Sequence, residues 1–196
     1  FLFLFLSMNV YGTYLSNALT IQPGTVDGSD SVFYDGSYSA VITTTNASQA
    51  FVYGLEGVVR SKLGKYFDVF GTVNYTYGRI LTDSMPYPLD HIPPVYGKLS
   101  LDYHNKHFSI EAFISYSGWK RYDDYNLLGE DNYAFALPEE GMPSWYTLNA
   151  RLNYAFSKNV SLQLACENLL DRNYRSFASN ISAPGRNFIV TLRGHF

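Results

Sequence analysis

The chain has 196 residues, including 18 Tyr and 14 Phe, with 16% charged residues and a formal net charge of −3. The absence of a basic excess argues against nucleic-acid binding, and a single cysteine, Cys166, excludes an internal disulfide framework. The chain contains no run of 18 apolar residues, so the sequence does not predict a transmembrane helix. Its abundant tyrosine suits a membrane–water interface, where an apolar ring with a polar tip is favoured.

Period-two alternation of apolar and polar residues, the pattern of a two-faced β-strand, recurs along the chain. The opening residues FLFLFL are apolar on both parities and lead directly into a strand over 7–20, so we expect the chain to begin inside a strand. A loop rich in Gly, Asp and Ser follows at 23–35. Residues 38–61 contain no strong breaker, which predicts one long strand with a bulge near Asn46.

The same alternation predicts six further strands, which with the two above make eight. They cover 66–80, 98–104, 108–117, 146–156, 160–167 and 186–196. The connections are alternately long and short, at 21–37, 62–65, 81–93, 105–106, 120–143, 157–159 and 169–185.

This alternation of connection lengths predicts both architecture and orientation. Outer-membrane barrels have long extracellular loops and short periplasmic turns. We therefore predict that the four long connections face outward and that the C-terminus is periplasmic. A soluble β-sandwich is the alternative, but its strands are usually shorter and its connections do not sort in this way.

The polar parity of the predicted strands carries most of their charged side chains. A charge on the lipid face at the bilayer midplane costs about 2–4 kcal/mol, so these side chains are expected to face the lumen. They are Glu56, Arg60, Asp68, Lys98, Asp102, Glu111, Arg151, Glu167, Arg193 and His195. Lys98 with Glu111 and Arg151 with Glu167 are predicted to pair across their hairpins. These residues would form the barrel wall or, alternatively, a solute pathway.

The 120–143 loop is the best candidate for a ligand-facing surface, because aromatic residues on a loop indicate ligand contact more often than charges do. The candidates are Tyr122, Tyr125, Tyr133, Phe135 and, just after the loop, Trp145. Six acidic and two basic residues also give the loop a local charge of −4. A solvated loop and a site for a hard cation such as Ca²⁺ are both compatible with that charge.

The histidines give no indication of catalysis. His91, in the 81–93 loop, is a candidate ligand of haem iron or simply a solvated side chain. His104 and His107 flank a short turn, far from the long loops. An outer-membrane hydrolase would need a polar cluster that converges at one rim, so we predict no enzyme activity, no cofactor and no bound metal. Cys166 is expected to behave as a small lipid-facing side chain.

Several segments combine into a more specific pattern. They are Tyr53-Gly54-Leu55-Glu56, Ile92-Pro93-Pro94-Val95-Tyr96-Gly97, Glu167-Asn168-Leu169-Leu170-Asp171 with Tyr174-Arg175, Ala183-Pro184-Gly185-Arg186-Asn187-Phe188, and the terminal Leu192-Arg193 and Phe196. In this order, over about residues 40–196, the chain resembles the end of the barrel of TonB-dependent outer-membrane receptors. Gly194 departs from the family, which more often has an aromatic residue there.

The resemblance implies an all-β, antiparallel transmembrane β-barrel of about 22 strands around an N-terminal plug. Residues 1–196 would be one incomplete domain, the last eight strands without the plug. The implied function, in a Gram-negative outer membrane, is energy-coupled uptake of a scarce nutrient: an iron–siderophore or haem, with cobalamin or a glycan as further options.

The resemblance also implies partners. These are outer-membrane lipid, the plug and the remaining barrel, the small-molecule nutrient, and the TonB energy-coupling complex through the missing N-terminal part. Phe196 would be the signal that the outer-membrane assembly machinery reads.

Strand count alone leaves one alternative, a complete eight-stranded barrel that serves as an anchor or adhesin. Pairing of the last strand distinguishes the two. In part of a larger barrel, residues 186–196 pair with 160–168 on one edge only, and the strand at 7–20 leaves its outer edge unpaired within the chain. In a closed small barrel, 186–196 pair with 7–20.

Overall fold

The computed structural model describes residues 2–46, 49–82, 85–127, 134, 136–179 and 181–195. The strands within these ranges are β1 (Leu2–Ser16), β2 (Leu19–Pro23), β3 (Ser31–Tyr34), β4 (Ser37–Ala40), β5 (Ile42–Asn46), β6 (Gln49–Leu63), β7 (Phe67–Leu81), β8 (Tyr87–Pro88), β9 (Tyr96–His104), β10 (Phe108–Ser117), β11 (Trp145–Ala155), β12 (Val160–Glu167) and β13 (Asn187–Gly194). A short 3₁₀ turn covers Tyr122–Asp124. In the described part of the chain, no helix has the length and apolar character needed to cross a membrane.

The main sheet is antiparallel and open, with the strand order β1-β6-β7-β9-β10-β11-β12-β13 and the short β8 beside β7. Strand β13 pairs with β12, and β1 pairs with β6. In the described ranges no pairing joins β13 to β1. This is the pairing predicted for part of a larger barrel, and it does not favour a closed eight-stranded one.

The prediction of one strand over 38–61 is wrong. The wall strand β6 begins at Gln49, whereas β4 and β5 pair with β3 and β2 inside the first long connection. The β-branched run at 42–45 favours extended backbone but does not specify a partner, and β2 is close in sequence. Asp35 and Gly36, with φ of 48° and 85°, form the tight turn between β3 and β4. The other wall strands match their predicted ranges to within a few residues at most ends, and β1 includes the FLFLFL run.

The register sorts the side chains of the sheet onto two faces, because directly opposed residues project to the same side. One row of opposed residues crosses five strands, from Lys62 through Asp68, Asp102 and Glu111 to Arg151. The face that contains this row is called the polar face. It holds all nine of the predicted lumen residues that lie in strands, and His195 follows β13 directly.

The opposite side is called the apolar face, and its aromatic side chains gather towards both ends of the strands. Phe51, Tyr53 and Tyr77 cluster near the long connections, with centroid separations of 5.2–6.1 Å. Phe67, Tyr103 and Phe108 cluster near the short turns. Tyr77 lies ten positions after Phe67 along β7, which corresponds to roughly 25 Å along the membrane normal at a tilt of about 40°. That distance matches the height of the apolar band in transmembrane barrels.

Candidate functional site

Glu111 is the centre of an ion-pair network on the polar face. Its Oε1 lies 2.6 Å from Lys98 Nζ, and its Oε2 lies 3.0 Å from Arg151 Nη1. Both cations also lie over the ring of Phe113, at 4.1 and 5.5 Å from its centroid. The predicted pair of Lys98 and Glu111 is confirmed.

The predicted pairing of Arg151 with Glu167 is wrong. Arg151 lies directly opposite Glu111 across β10 and β11, so its guanidinium reaches that carboxylate. On β12 the residue opposite Arg151 is Ala165. The partner of Arg151 is therefore the directly opposed carboxylate, whereas Lys98, which lies opposite Ser115, reaches Glu111 diagonally.

The turn end of the polar face has a second charged group. His104 Nδ1 lies 3.5 Å from Asp68 Oδ2 and 3.6 Å from Asp102 Oδ1. Among the described residues, no group of three or more His, Cys, Asp or Glu side chains is arranged to hold a metal ion. In the FLFLFL run, Phe3 and Phe5 project onto the polar face and line a hollow with other residues that include Arg60.

Lys120 ties the long connections together at the opposite end. The residue is only 4% exposed, and Nζ donates a hydrogen bond of 2.6 Å to the carbonyl of Ile92. The same ammonium lies 5.3 Å from the ring centroid of Tyr125 and 5.0 Å from that of Phe177. Three long connections therefore meet at one buried cation. No local sequence pattern indicates this role, because Lys120 stands in the chain only as one of two basic residues in an acidic loop.

Arg79 is a second residue that sequence reasoning missed. It lies at the outer end of β7 on the apolar face, where a charge is unexpected. Its Nη2 lies 2.6 Å from Asp124 Oδ1, and its guanidinium stacks 4.3 Å from the ring of Tyr77. The 3₁₀ turn of the 118–144 connection is thereby fastened to the wall.

The predicted ligand-facing aromatics separate into different environments. Trp145 lies at the outer end of the polar face, and its ring packs 4.2 Å from that of Tyr174. This pair lines a cavity of about 280 Å³ together with Met142 and Arg175. Tyr125 is buried and packs near Phe177 in the loop cluster.

The remaining candidates are either apart from this cavity or not described. Tyr122 is half-buried in the 3₁₀ turn, and His91 is exposed in another long connection with a φ of 60°. Three residues singled out in the sequence, Tyr133, Phe135 and Phe196, lie outside the described residues. The same holds for the acidic Glu130 and Asp131, so the cation-binding hypothesis for that loop stays untested.

The Glu167–Asp171 motif builds the base of the last long connection. Asn168 is buried, and its backbone N–H donates to Asn149 Oδ1 at 2.9 Å. Its Nδ2 donates to the carbonyls of Arg172 and Pro184, at 2.8 and 3.3 Å. Asp171 Oδ1 accepts a hydrogen bond from the Arg186 N–H at 2.7 Å. The motif therefore positions the loop that carries Tyr174 and Arg175.

Comparison with known proteins gives a family and a fold. A family model described as "TonB dependent receptor-like, beta-barrel" matches residues 2–169. No curated protein sequence matches the chain. A structure named copper transporter OprC is 17% identical, with a TM-score of 0.74, over 98% of this chain and 29% of that one.

Two further structures are similar at the same level. A mutant of the ferric enterobactin receptor PfeA from Pseudomonas aeruginosa is 20% identical, with a TM-score of 0.65, over 97% of this chain and 29% of that one. The ferric-catecholate import receptor Fiu from E. coli K12 is 18% identical, with a TM-score of 0.62, over 98% of this chain and 25% of that one. The chain thus spans less than a third of the length of these structures, and the likeness concerns the fold.

Proposed function

The chain belongs to the TonB-dependent receptor family through its β-barrel, and we propose that it forms part of the wall of an outer-membrane receptor for energy-coupled uptake of a scarce nutrient. The observation that carries this proposal is the open sheet with one polar and one apolar face, bounded on the apolar side by two groups of aromatic rings. The polar face lines the lumen, and the apolar face meets lipid. The short turns and the C-terminal end of β13 lie on the periplasmic side.

The nutrient class that we propose is an iron–siderophore. Two of the three similar structures described above are named as a ferric enterobactin receptor and a ferric-catecholate import receptor. Haem, cobalamin and glycans are the alternatives. Membership of this family also suggests the partners that we propose, which are the TonB complex, the plug, the remaining barrel and the assembly machinery.

The cavity beside Trp145 and Tyr174 is the proposed contact with the nutrient inside this part of the receptor. It lies at the outer end of the polar face, on the path of a solute that enters from the long connections. Two packed rings, tilted by 36° to each other, offer an apolar surface, and Arg175 lines the same cavity. Such a combination of aromatic and polar groups is typical of small-molecule sites.

Uptake of radioactive iron tests the proposal. The full-length receptor is expressed in a strain that lacks its own siderophore receptors, and ⁵⁵Fe-labelled ferric enterobactin is the probe. We expect accumulation that stops when TonB is deleted. Binding without TonB-dependent accumulation would contradict a transport function, and uptake of haem in place of ferric enterobactin would replace the proposed nutrient class.

A further inference from the structure

The two ends of the wall carry opposite charge. The four long connections, at 17–48, 82–95, 118–144 and 168–186, contain twelve acidic and five basic residues. The three short turns, at 64–66, 105–107 and 156–159, contain three lysines and no acidic residue. The lysines are Lys65, Lys106 and Lys158, one in each turn. An anionic partner is therefore complementary to the turn end and not to the loop end.

A cavity of about 680 Å³ lies between the first two of these turns. Its basic lining residues include Lys65, Lys106 and His107, all of them exposed. None of its described lining residues is acidic. The nearby carboxylates of Asp68 and Asp102 belong to the polar face, where they approach His104. His104 itself lines the cavity, so these two carboxylates border its basic lining on the side of the polar face.

The cavity reaches the apolar face through its aromatic lining. Phe108 and Tyr154 lie directly opposite each other in β10 and β11 on that face, and both line the cavity. Tyr66 also lines it, and Lys65 Nζ lies 5.3 Å from the centre of that ring. Aromatic side chains at this level mark the membrane–water boundary, where lipid headgroups are found. The basic groups are therefore at headgroup height.

The turn that presents Lys106 is held in place by its own side chains. Asn105 Oδ1 accepts hydrogen bonds from the backbone N–H groups of His107 and Phe108, at 2.8 and 3.0 Å. This arrangement leaves Lys106 at the tip of a fixed turn. A preorganised turn loses little conformational freedom when a ligand binds.

We propose that this cavity binds the phosphate of an anionic phospholipid headgroup. The ammonium groups of Lys65 and Lys106 and an imidazole N–H of His107 contact the phosphate, while the acyl chains lie along Phe108 and Tyr154. The lipid belongs to the leaflet next to the short turns, which is the inner leaflet of the outer membrane if the orientation given under Proposed function is right. A zwitterionic choline lipid carries its own cation and gains less from these lysines.

Native mass spectrometry of the full-length receptor tests the site, with dioleoyl phosphatidylglycerol and dioleoyl phosphatidylcholine as probes. We expect preferential binding of phosphatidylglycerol, weakened roughly tenfold in the Lys65→Gln/Lys106→Gln double variant. Lys158→Gln is the matched control, because it removes the same charge from the same rim outside the cavity. The Lys65→Arg/Lys106→Arg variant keeps the charges and should retain binding, provided that heat-modifiable mobility shows a folded barrel.

Three results would overturn the proposal. They are wild-type binding by the Gln double variant, an equal loss in Lys158→Gln, and displacement of the lipid by excess inorganic phosphate, which would indicate a site for free anions. Iron uptake by the double variant is expected to equal that of the wild type. A failure of this lipid site is therefore distinguishable from a failure of the proposed transport function.

Discussion

Glu111 lies directly opposite Arg151 in the β10–β11 pair and bridges it to Lys98 on β9, with N···O distances of 3.0 and 2.6 Å. One half-buried carboxylate thus connects three neighbouring strands of the wall. The arrangement depends on the register, since each strand supplies one member.

Glu111→Gln should destabilise the wall by about 1–3 kcal/mol, because two close cations lose their shared counter-charge. The full-length receptor in detergent can be assayed by the temperature at which its heat-modifiable gel mobility changes. Ser115→Ala, two register positions along the same face of β10, is the control and should change the free energy of unfolding by less than about 0.5 kcal/mol. An unchanged transition in Glu111→Gln would show that the network contributes nothing.

The ion pair between Arg79 and Asp124 is expected to hold the 3₁₀ turn of the 118–144 connection against the wall. Asp124 is 41% exposed, so solvent screening limits the expected coupling energy to about 0.5–1 kcal/mol. Asp124→Asn should speed protease cleavage of this connection severalfold in intact cells. Asp123→Asn removes the same charge from the adjacent exposed position and should not. Equal cleavage rates in the two variants would mean that the ion pair does not hold the turn.

The faces of the wall could be predicted from the sequence, whereas the contacts of the loops could not. Period-two alternation is a local property, so it placed Glu111 and Arg151 on one face without knowledge of the partner strand. It could not separate the ribbon at 37–46 from the wall strand that follows, because both are extended. Lys120 and Arg79 find partners far away in the chain, and no local pattern indicates such contacts.

Trp145 and Tyr174 provide the test of the proposed nutrient contact. Loss of both rings in a Trp145→Ala/Tyr174→Ala variant should weaken binding of ferric enterobactin by roughly tenfold, since aromatic anchors carry much of the energy in such sites. Equilibrium binding to the full-length receptor measures this. Tyr53→Ala removes a ring from the apolar face and should leave affinity unchanged. Wild-type affinity in the double variant would place the nutrient elsewhere.

Gly54 is a position where a side chain is not accommodated. A Cβ there would meet the Tyr11 hydroxyl and the carbonyl of Tyr75, and Tyr11 is itself hydrogen-bonded to Thr76 at 2.6 Å. Gly54→Ala should therefore cost about 1–3 kcal/mol through displaced neighbours. Gly12→Ala, in the adjacent strand, meets nothing within 4 Å and should be neutral. Equal transition temperatures for the two variants would contradict the close approach.

Asn168 has a left-handed backbone and also makes several side-chain hydrogen bonds, and a pair of variants can separate the two contributions to stability. Its φ of 50° is in the left-handed region, and its side chain donates to two carbonyls and accepts a hydrogen bond from the Arg172 N–H at 3.0 Å. Asn168→Ala should cost about 2–4 kcal/mol, from backbone strain and from buried groups left without partners. Asn17 has a similar φ of 55° but is exposed, so Asn17→Ala should show the strain alone, about 1 kcal/mol. If both variants shift the unfolding transition equally, the hydrogen bonds of Asn168 do not stabilise the last loop. If only Asn168→Ala also weakens binding of ferric enterobactin, the motif acts through the position of Tyr174.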